Sequence, residues 1–314
     1  MYLCGKSHTE LKAKGYLLAA LAAATYGTNP AFAVPLYEHG LNPASVLIMR
    51  YMLGLPLLAV MLTARGHSLR LRRGELGPLA ILGVLMAISS LTLFEAYNYM
   101  NSGIASTLLF VYPILVAVLM TFFFHERFRI TTGICLAVMT AGLILLLKTP
   151  DGAGVSWTGV LLVMLSSLTY ALYLVMTNVS ATVQAIPTLR LLFYQLLLGS
   201  SVFWILICTG TPLTMPSQGI DWVYLLALAL LPTVVSLACT TVAIHTIGST
   251  ATAIFGALEP VTAVVLSVAV LGQGITMREL LGGLLIVVAT TLVVAADPVD
   301  RVLLRMRRMF PRRR

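Results

Sequence analysis

The chain has 314 residues, of which 59% are hydrophobic and only 10% charged, and its mean hydropathy is +0.96. A soluble domain carries about a quarter charged residues, so this composition excludes a water-soluble globular protein and indicates one that sits in a lipid bilayer. The net charge is +9, and seven Arg follow Asp297. Beside so many apolar segments, we expect this basic tail to contact anionic lipid headgroups and not nucleic acid.

Apolar stretches of roughly 20 residues, the length that spans a bilayer as a helix, recur along the whole chain. They lie at 15–37, 43–64, 78–99, 104–124, 130–148, 157–178, 188–209, 222–246, 249–271 and 278–296. The segments between them are short, which leaves no room for a soluble domain. The pattern therefore predicts an all-α integral membrane protein with ten transmembrane helices.

Lysine and arginine mark one side of the predicted bundle. With the amino terminus placed inside, only Lys148 and Arg278 face outside, and Arg50 alone lies within a helix. Because basic residues concentrate on the cytoplasmic side of membrane proteins, we predict that both termini are cytoplasmic. The short loops and the basic tail are typical of a multi-pass protein of the bacterial inner membrane.

The second half of the chain repeats the first. Tyr26 recurs as Tyr170 at an offset of 144 residues, and Pro113 recurs as Pro260 at an offset of 147. Each half contains five predicted helices, so the second half has the opposite orientation, as in the inverted repeats of many transporters. The predicted segments are a cytoplasmic amino terminus, a first repeat, an external linker, a second repeat and a basic cytoplasmic tail, at 1–14, 15–148, 149–156, 157–296 and 297–314.

Several short segments carry a family resemblance across nearly the whole chain. In the first half they run from Phe94-Glu95-Ala96 to Tyr112-Pro113, and in the second half from Ile247-Gly248-Ser249 to Leu258-Glu259-Pro260 and on to 272–276. These segments resemble the EamA-type carriers of the drug/metabolite transporter superfamily. The resemblance implies two inverted five-helix repeats and secondary transport, often export of amino acids or related metabolites. It does not imply one substrate.

Several prolines lie within predicted helices, and we single out four of them, each of which deprives the carbonyl four residues earlier of its N–H partner. The pairs of proline and freed carbonyl are Pro30 with Tyr26, Pro113 with Leu109, Pro232 with Leu228, and Pro260 with Gly256. A free carbonyl inside a membrane needs another partner or a cavity. We predict that Pro113 and Pro260 form hinges or expose carbonyls to the site; the alternative is a kink that serves packing alone.

Ionisable groups inside the membrane are candidates for function. Glu259 lies near mid-span, where burial favours its neutral form, and could carry a proton or bind an amino group. Its alternative role is a carboxyl bonded within the bundle. His245 is a second candidate for proton coupling, or else an interfacial histidine. Arg50 and Glu95 lie at similar depths and are predicted to form a structural ion pair; if unpaired, they could bind a substrate carboxylate and ammonium group.

The leading hypothesis is a secondary transporter, and a probable exporter, of small polar metabolites such as amino acids, which alternates access between its repeats. The predicted substrate-binding residues are Tyr26, Asn29, Asn98, Tyr112, Tyr170, Tyr173 and Glu259. A flippase for a lipid-linked carrier and a channel are the alternatives, and a membrane enzyme is a remote one. No metal-binding or catalytic motif is present in the sequence, so we predict no cofactor and no enzymatic activity.

Overall fold

The structure is a computed structural model. It describes residues 2–66, 68–72, 74–100, 105, 108–126, 129–146, 156–262, 265, 277–278 and 280–293. The predicted basic tail at 297–314, the motif at 272–276 and all but the last residue of the predicted linker at 149–156 lie outside the described residues.

The described part of the chain folds into helices. In chain order these are α1 Tyr2–Tyr26, α2 Asn29–Glu38, α3 Pro43–Ala64, α4 Leu76–Ala96, α5 Tyr112–Phe124, α6 Ile130–Leu146, α7 Trp157–Val179, α8 Ala181–Gln184, α9 Thr188–Cys208, α10 Gly219–Leu228, α11 Ser236–Ile247, α12 Ser249–Gly256 and α13 Leu280–Val293. The π-helical segment Ala229–Val235 joins α10 to α11, and residues 258–262, which follow α12, are also helical.

Within the described residues, six helical stretches are long and apolar enough to cross a membrane. They are Glu10–Glu38, Pro43–Ala64, Leu76–Ala96, Trp157–Val179, Thr188–Cys208 and Gly219–Ile247. Three further apolar helices, α5, α6 and α13, are shorter within the described residues. The all-helical membrane architecture is thus confirmed. Each of the ten predicted spans contains helix, and their exact number stays a prediction.

The two halves of the chain pack against each other through most of their helices. From the first half, α4 packs on α7 and α9, α1 packs on α11 and α12, and α5 packs on α7. Apolar side chains such as Leu79, Leu82 and Met86 on α4 are completely or almost completely buried in this contact. The central part of the molecule is therefore built jointly by α1 and α5 from one half and α7, α11 and α12 from the other.

The bundle has two chemically different ends. We call the end that carries Lys12, Arg65, Arg72, Arg129 and Arg190 the basic end, and the opposite end, where α2 ends and α3 begins, the distal end. At the basic end, Arg190 Nη2 lies 3.0 Å from Glu75 Oε1.

The distal end is tied across the two halves by polar contacts. His39 Nδ1 lies 2.6 Å from Asp221 Oδ1, and the Asp221 side chain is completely buried. Asn42 Nδ2 donates to the carbonyl of Pro212 at 2.6 Å. The backbone N–H of Asn42 donates to Thr214 Oγ1 at 3.0 Å. These bonds hold the segment before α10 against the turn between α2 and α3.

Candidate functional site

A small cavity lies between the two halves, at the level where α1 ends. It is lined by Ala19, Ala22, Ala23, Tyr26, Tyr112, Tyr170, Leu174, Ser236, Thr240, Thr252, Ala253, Gly256 and Glu259. The volume in which the centre of a water molecule can lie is about 20 Å³, which suits ordered water and is too small for an amino acid. In this conformation the cavity therefore has no room for an amino acid.

Tyrosines form one wall of the cavity. Tyr26, Tyr112 and Tyr170 line it, and the rings of Tyr112 and Tyr170 meet edge to face with their centroids 4.8 Å apart. Tyr173 stacks on Tyr170 at 5.9 Å, and its hydroxyl donates to Gln195 Oε1 at 3.4 Å. Tyr173 thus supports the wall from behind and does not line the cavity, whereas the repeat-related tyrosines Tyr26 and Tyr170 both do.

Glu259 lies where α1 is interrupted. The helix ends at Tyr26, and a Cβ atom on Gly27 would lie 2.6 Å from the backbone oxygen of Glu259, so only glycine permits this approach. Glu259 shares the cavity lining with Tyr26, Tyr112 and Tyr170. The acidic residue predicted to function thus faces the same cavity as three phenol groups, whose hydroxyls can both donate and accept hydrogen bonds.

The hydroxyl of Tyr112 fills a notch in α12. It donates to the carbonyl of Ala253 at 3.2 Å, and a Cβ atom on Gly256 would lie only 1.7 Å from the oxygen of Tyr112. Tyr112 directly precedes Pro113, and Gly256 lies four residues before Pro260. The two predicted hinges thus adjoin the same contact, although their movement stays a prediction.

Hydroxyl groups bond two of the four carbonyls that prolines deprive of an N–H partner. Ser167 Oγ donates to the carbonyl of Leu109 at 3.0 Å, and Thr233 Oγ1 donates to the carbonyl of Leu228 at 2.8 Å. The second bond lies at the π-helical segment Ala229–Val235. A π-helical turn holds one more residue than an α-helical turn and often marks a functional region.

The predicted ion pair between Arg50 and Glu95 is not formed in this structure. Arg50 Nε donates to Thr233 Oγ1 at 2.6 Å, and its Nη1 donates to Asn29 Oδ1 at 3.0 Å. Glu95 instead accepts a bond from Asn98 Nδ2 at 3.1 Å. The π-helical segment packs directly on α3 and presents Thr233 to Arg50, while Glu95 lies in the last turn of α4, at the distal end.

Three other residues predicted for the site lie outside the cavity. Asn98 is exposed in the turn that follows α4, because this helix ends at Ala96, before the predicted boundary. Asn29 is buried against Arg50, and His245 is exposed at the basic end of α11. Position in the sequence alone did not reveal which way these side chains face.

Small and hydroxylated residues complete the cavity lining, and the sequence analysis missed them. Ser236 and Thr240 lie one turn apart on α11, as do Thr252 and Gly256 on α12. Ser236 Oγ donates to the carbonyl of Ala22 at 2.9 Å. The sequence could have indicated them, because the members of each pair are four residues apart and therefore lie on the same face of their helix.

A larger cavity, which we call the vestibule, opens at the basic end. The volume open to the centre of a water molecule is about 280 Å³ there, and both halves line it. Its charged lining residues are Lys12, Glu126 and Arg129. Tyr16 also lines it and stacks on Phe255 with ring centroids 5.5 Å apart. Tyr16 lies three residues before Ala19, and Phe255 directly precedes Gly256; Ala19 and Gly256 both line the central cavity, so this stacked pair lies next to both cavities.

Comparison with known proteins connects this geometry to one family. The profile of the EamA-like transporter family matches residues 13–148 and again residues 157–295. No curated protein matches the chain. Among solved structures 28 chains match; one, a protein determined by crystallography, has a TM-score of 0.72 over 95% of this chain and 99% of its own, at 20% sequence identity. That likeness shows the fold alone.

Proposed function

This chain belongs to the EamA-like transporter family, and we propose that it is a secondary transporter that exports small polar metabolites such as amino acids. The observation that carries the proposal is the central cavity, which both halves line and which contains Glu259. Inverted repeats that enclose one central site can open it to each side of the membrane in turn.

The two ends of the molecule differ as this mechanism requires. The vestibule lies at the basic end, while polar contacts join the two halves at the distal end, which supports a conformation that is open on one side. We assign the basic end to the cytoplasm, because lysine and arginine concentrate there. With this assignment the vestibule faces the cytoplasm. The central cavity is too small to hold a substrate, so we interpret the structure as a state that precedes substrate binding. Export would require the stack of Tyr16 on Phe255 to part and the distal contacts to break.

The central cavity favours a substrate that has an amino group. Glu259 is the charged residue in its lining, beside tyrosine, serine and threonine hydroxyls. A carboxylate binds an ammonium group directly, whereas a phosphorylated substrate calls for arginine or lysine. The same carboxyl can instead take up a proton when the ammonium group leaves, so Glu259 would couple transport to protons.

The enclosed position of the cavity bears on the alternatives. The lining comes from five helices and from the segment that holds Glu259, which favours a water-soluble substrate over a lipid-linked one that enters from the side. An enzyme would need an acid–base or metal cluster. The described lining offers one carboxyl, and its role in binding or proton transfer accounts for it.

Counterflow in proteoliposomes tests the proposal. The lumen is loaded with unlabelled amino acids, a labelled amino acid is added outside, and the assay is repeated with an imposed pH gradient. We expect saturable, protein-dependent uptake that responds to the gradient. In Glu259→Gln, which mimics the protonated carboxyl, the response to the gradient should be lost, and exchange should weaken because the ammonium group loses its carboxylate partner. Glu38→Gln, at an exposed carboxyl of the distal end, serves as the matched control and should retain the response.

Two results would contradict parts of this proposal. Uptake that responds to the pH gradient equally in Glu259→Gln and in the unmodified protein would remove Glu259 from proton coupling. Uptake of amino acids that neither saturates nor accelerates with a loaded lumen would exclude a carrier for them.

A further inference from the structure

Arg50 is a buried cation with neutral partners. Its side chain on α3 is 1% exposed. Nε and Nη1 donate to the oxygens of Thr233 and Asn29, and Nη2 is buried without a hydrogen-bond partner. Among the described residues no carboxylate forms an ion pair with Arg50. A buried charge without a counter-charge is costly, so proteins seldom retain one without a function.

Three buried hydroxyl groups around Arg50 also lack partners. They belong to Tyr37 on α2, Tyr51 on α3 and Ser90 on α4. The guanidinium group of Arg50 acts electrostatically on the hydroxyls of Tyr37 and Tyr51, and the carboxylate of Glu95 also acts on that of Tyr37. The Ser90 hydroxyl lies near that of Tyr51 without forming a hydrogen bond. We call Arg50, Tyr37, Tyr51 and Ser90 the donor cluster.

The donor cluster is short of an acceptor. Buried polar groups in folded proteins are almost always hydrogen-bonded, and each of these four side chains can donate a bond. A purely structural arginine would need only the bonds to Thr233 and Asn29. The unpartnered Nη2 and the hydroxyls around it instead suit a planar anion, because a carboxylate accepts several bonds and neutralises the charge.

The donor cluster is adjacent to the central cavity. Tyr26 lines that cavity, and Asn29, which accepts a hydrogen bond from Arg50 Nη1 at 3.0 Å, lies three residues after it. Two members of the network, Asn29 and Tyr37, lie on α2, which begins after the interruption of α1.

We propose that the donor cluster binds the carboxylate group of the transported molecule, on the distal side of Tyr26. The proposal rests on the transport function proposed above and narrows the substrate to a metabolite with a carboxylate group, such as an amino acid. Glu259 then receives the ammonium group as the molecule approaches, and Arg50 receives the carboxylate as it passes toward the distal end.

Thermal unfolding of the purified protein tests the cluster directly, with sodium acetate as the probe and sodium chloride at equal ionic strength as the comparison. Acetate should raise the unfolding temperature of the unmodified protein more than chloride does. The acetate concentration for half of this effect should rise roughly 10- to 100-fold in Arg50→Gln, the loss expected for a charge-assisted bond. Equal stabilisation by chloride would overturn the carboxylate assignment, as would unchanged acetate affinity in this variant.

Removal of an unpartnered hydroxyl provides a second variant that does not threaten folding. Tyr51→Phe should keep or raise the unfolding temperature without acetate, because it removes a buried group that has no bond. The same variant should weaken the effect of acetate several-fold. Tyr173→Phe is the matched control for stability: its hydroxyl is bonded to Gln195, so its unfolding temperature should fall. A lower unfolding temperature of Tyr51→Phe, with unchanged acetate affinity, would overturn the proposal.

Counterflow separates this proposal from the transport function. The amino acid that exchanges best is compared with its α-amide, in the unmodified protein and in Tyr51→Phe and Arg50→Gln. We expect the preference for the acid over the amide to fall in both variants. Exchange with an unchanged preference would overturn the donor cluster and leave the transporter standing. Acetate binding that depends on Arg50, in a protein without counterflow, would support the site and contradict the transport function.

Discussion

The contact between Tyr112 and Gly256 permits a quantitative test of the central site. A Cβ atom introduced by Gly256→Ala would lie 1.7 Å from the hydroxyl oxygen of Tyr112, so the ring would have to withdraw by about 1.5–2 Å to reach ordinary contact. It would lose its bond to Ala253, worth about 1 kcal/mol, and part of its packing on Tyr170, worth about 0.5–1.5 kcal/mol.

The net effect of Gly256→Ala includes opposing contributions. Overpacking costs about 1–3 kcal/mol, and alanine is favoured over glycine in a helix by about 1 kcal/mol. We therefore expect the free energy of unfolding to fall by about 2–4 kcal/mol, measured by thermal or chemical unfolding in detergent. Exchange should also slow in counterflow, because Tyr112 would be displaced into the cavity that it lines.

A second substitution tests the stated cause. In Tyr112→Phe the nearest atom to the new Cβ is the ring carbon Cζ at 3.0 Å, so Gly256→Ala should cost much less in that background. A double-mutant cycle should give a coupling energy of about 1–2 kcal/mol. Gly77→Ala, where a Cβ meets nothing within 4 Å, is the control. Equal stability of Gly256→Ala and the unmodified protein, or strict additivity in the cycle, would refute the reasoning.

Two further substitutions probe the bonds that hold the helices in place. Ser167→Ala removes the donor from a carbonyl that a proline has freed and should lower the free energy of unfolding by about 1–3 kcal/mol; Ser201→Ala, at an exposed position of α9, should have little effect, and equal losses would contradict this account. Asp221→Asn removes the charge shared with His39 and should cost about 1–2 kcal/mol, with faster hydrogen exchange in residues 211–218; unchanged exchange there would show that the distal end does not depend on this pair.

Apolar patterning was sufficient to predict the helices, because a membrane leaves few alternatives to helix for an apolar stretch of this length. The internal repeat also helped to predict site residues, because it singled out Tyr26 and Tyr170, which both line the cavity. Glu259 was recognisable because a carboxyl in mid-membrane has few structural explanations.

The partners of Arg50 could not be predicted in the same way. They depend on the π-helical segment that contains Thr233 and on the interruption that begins α2 at Asn29. Neither feature changes the apolar pattern, because both replace one helical hydrogen-bonding arrangement with another. The sequence predicted similar depths in the membrane for Arg50 and Glu95. Which side chains meet also depends on the rotation of each helix about its axis, which the sequence did not reveal. Asn98 was predicted to bind substrate but lies outside the cavity for a simpler reason, because α4 ends before it.

The interruption at Gly27 and Thr28 makes α2 a short lever with its pivot beside Glu259. The helix has 10 residues and is therefore about 15 Å long, at a rise of 1.5 Å per residue. A rotation of about 10° at the pivot would carry its far tip by roughly 2.6 Å over that length. This displacement is comparable to the 2.6 Å separation of His39 and Asp221. A small torsional change beside the carboxyl would thus be enough to separate His39 from Asp221.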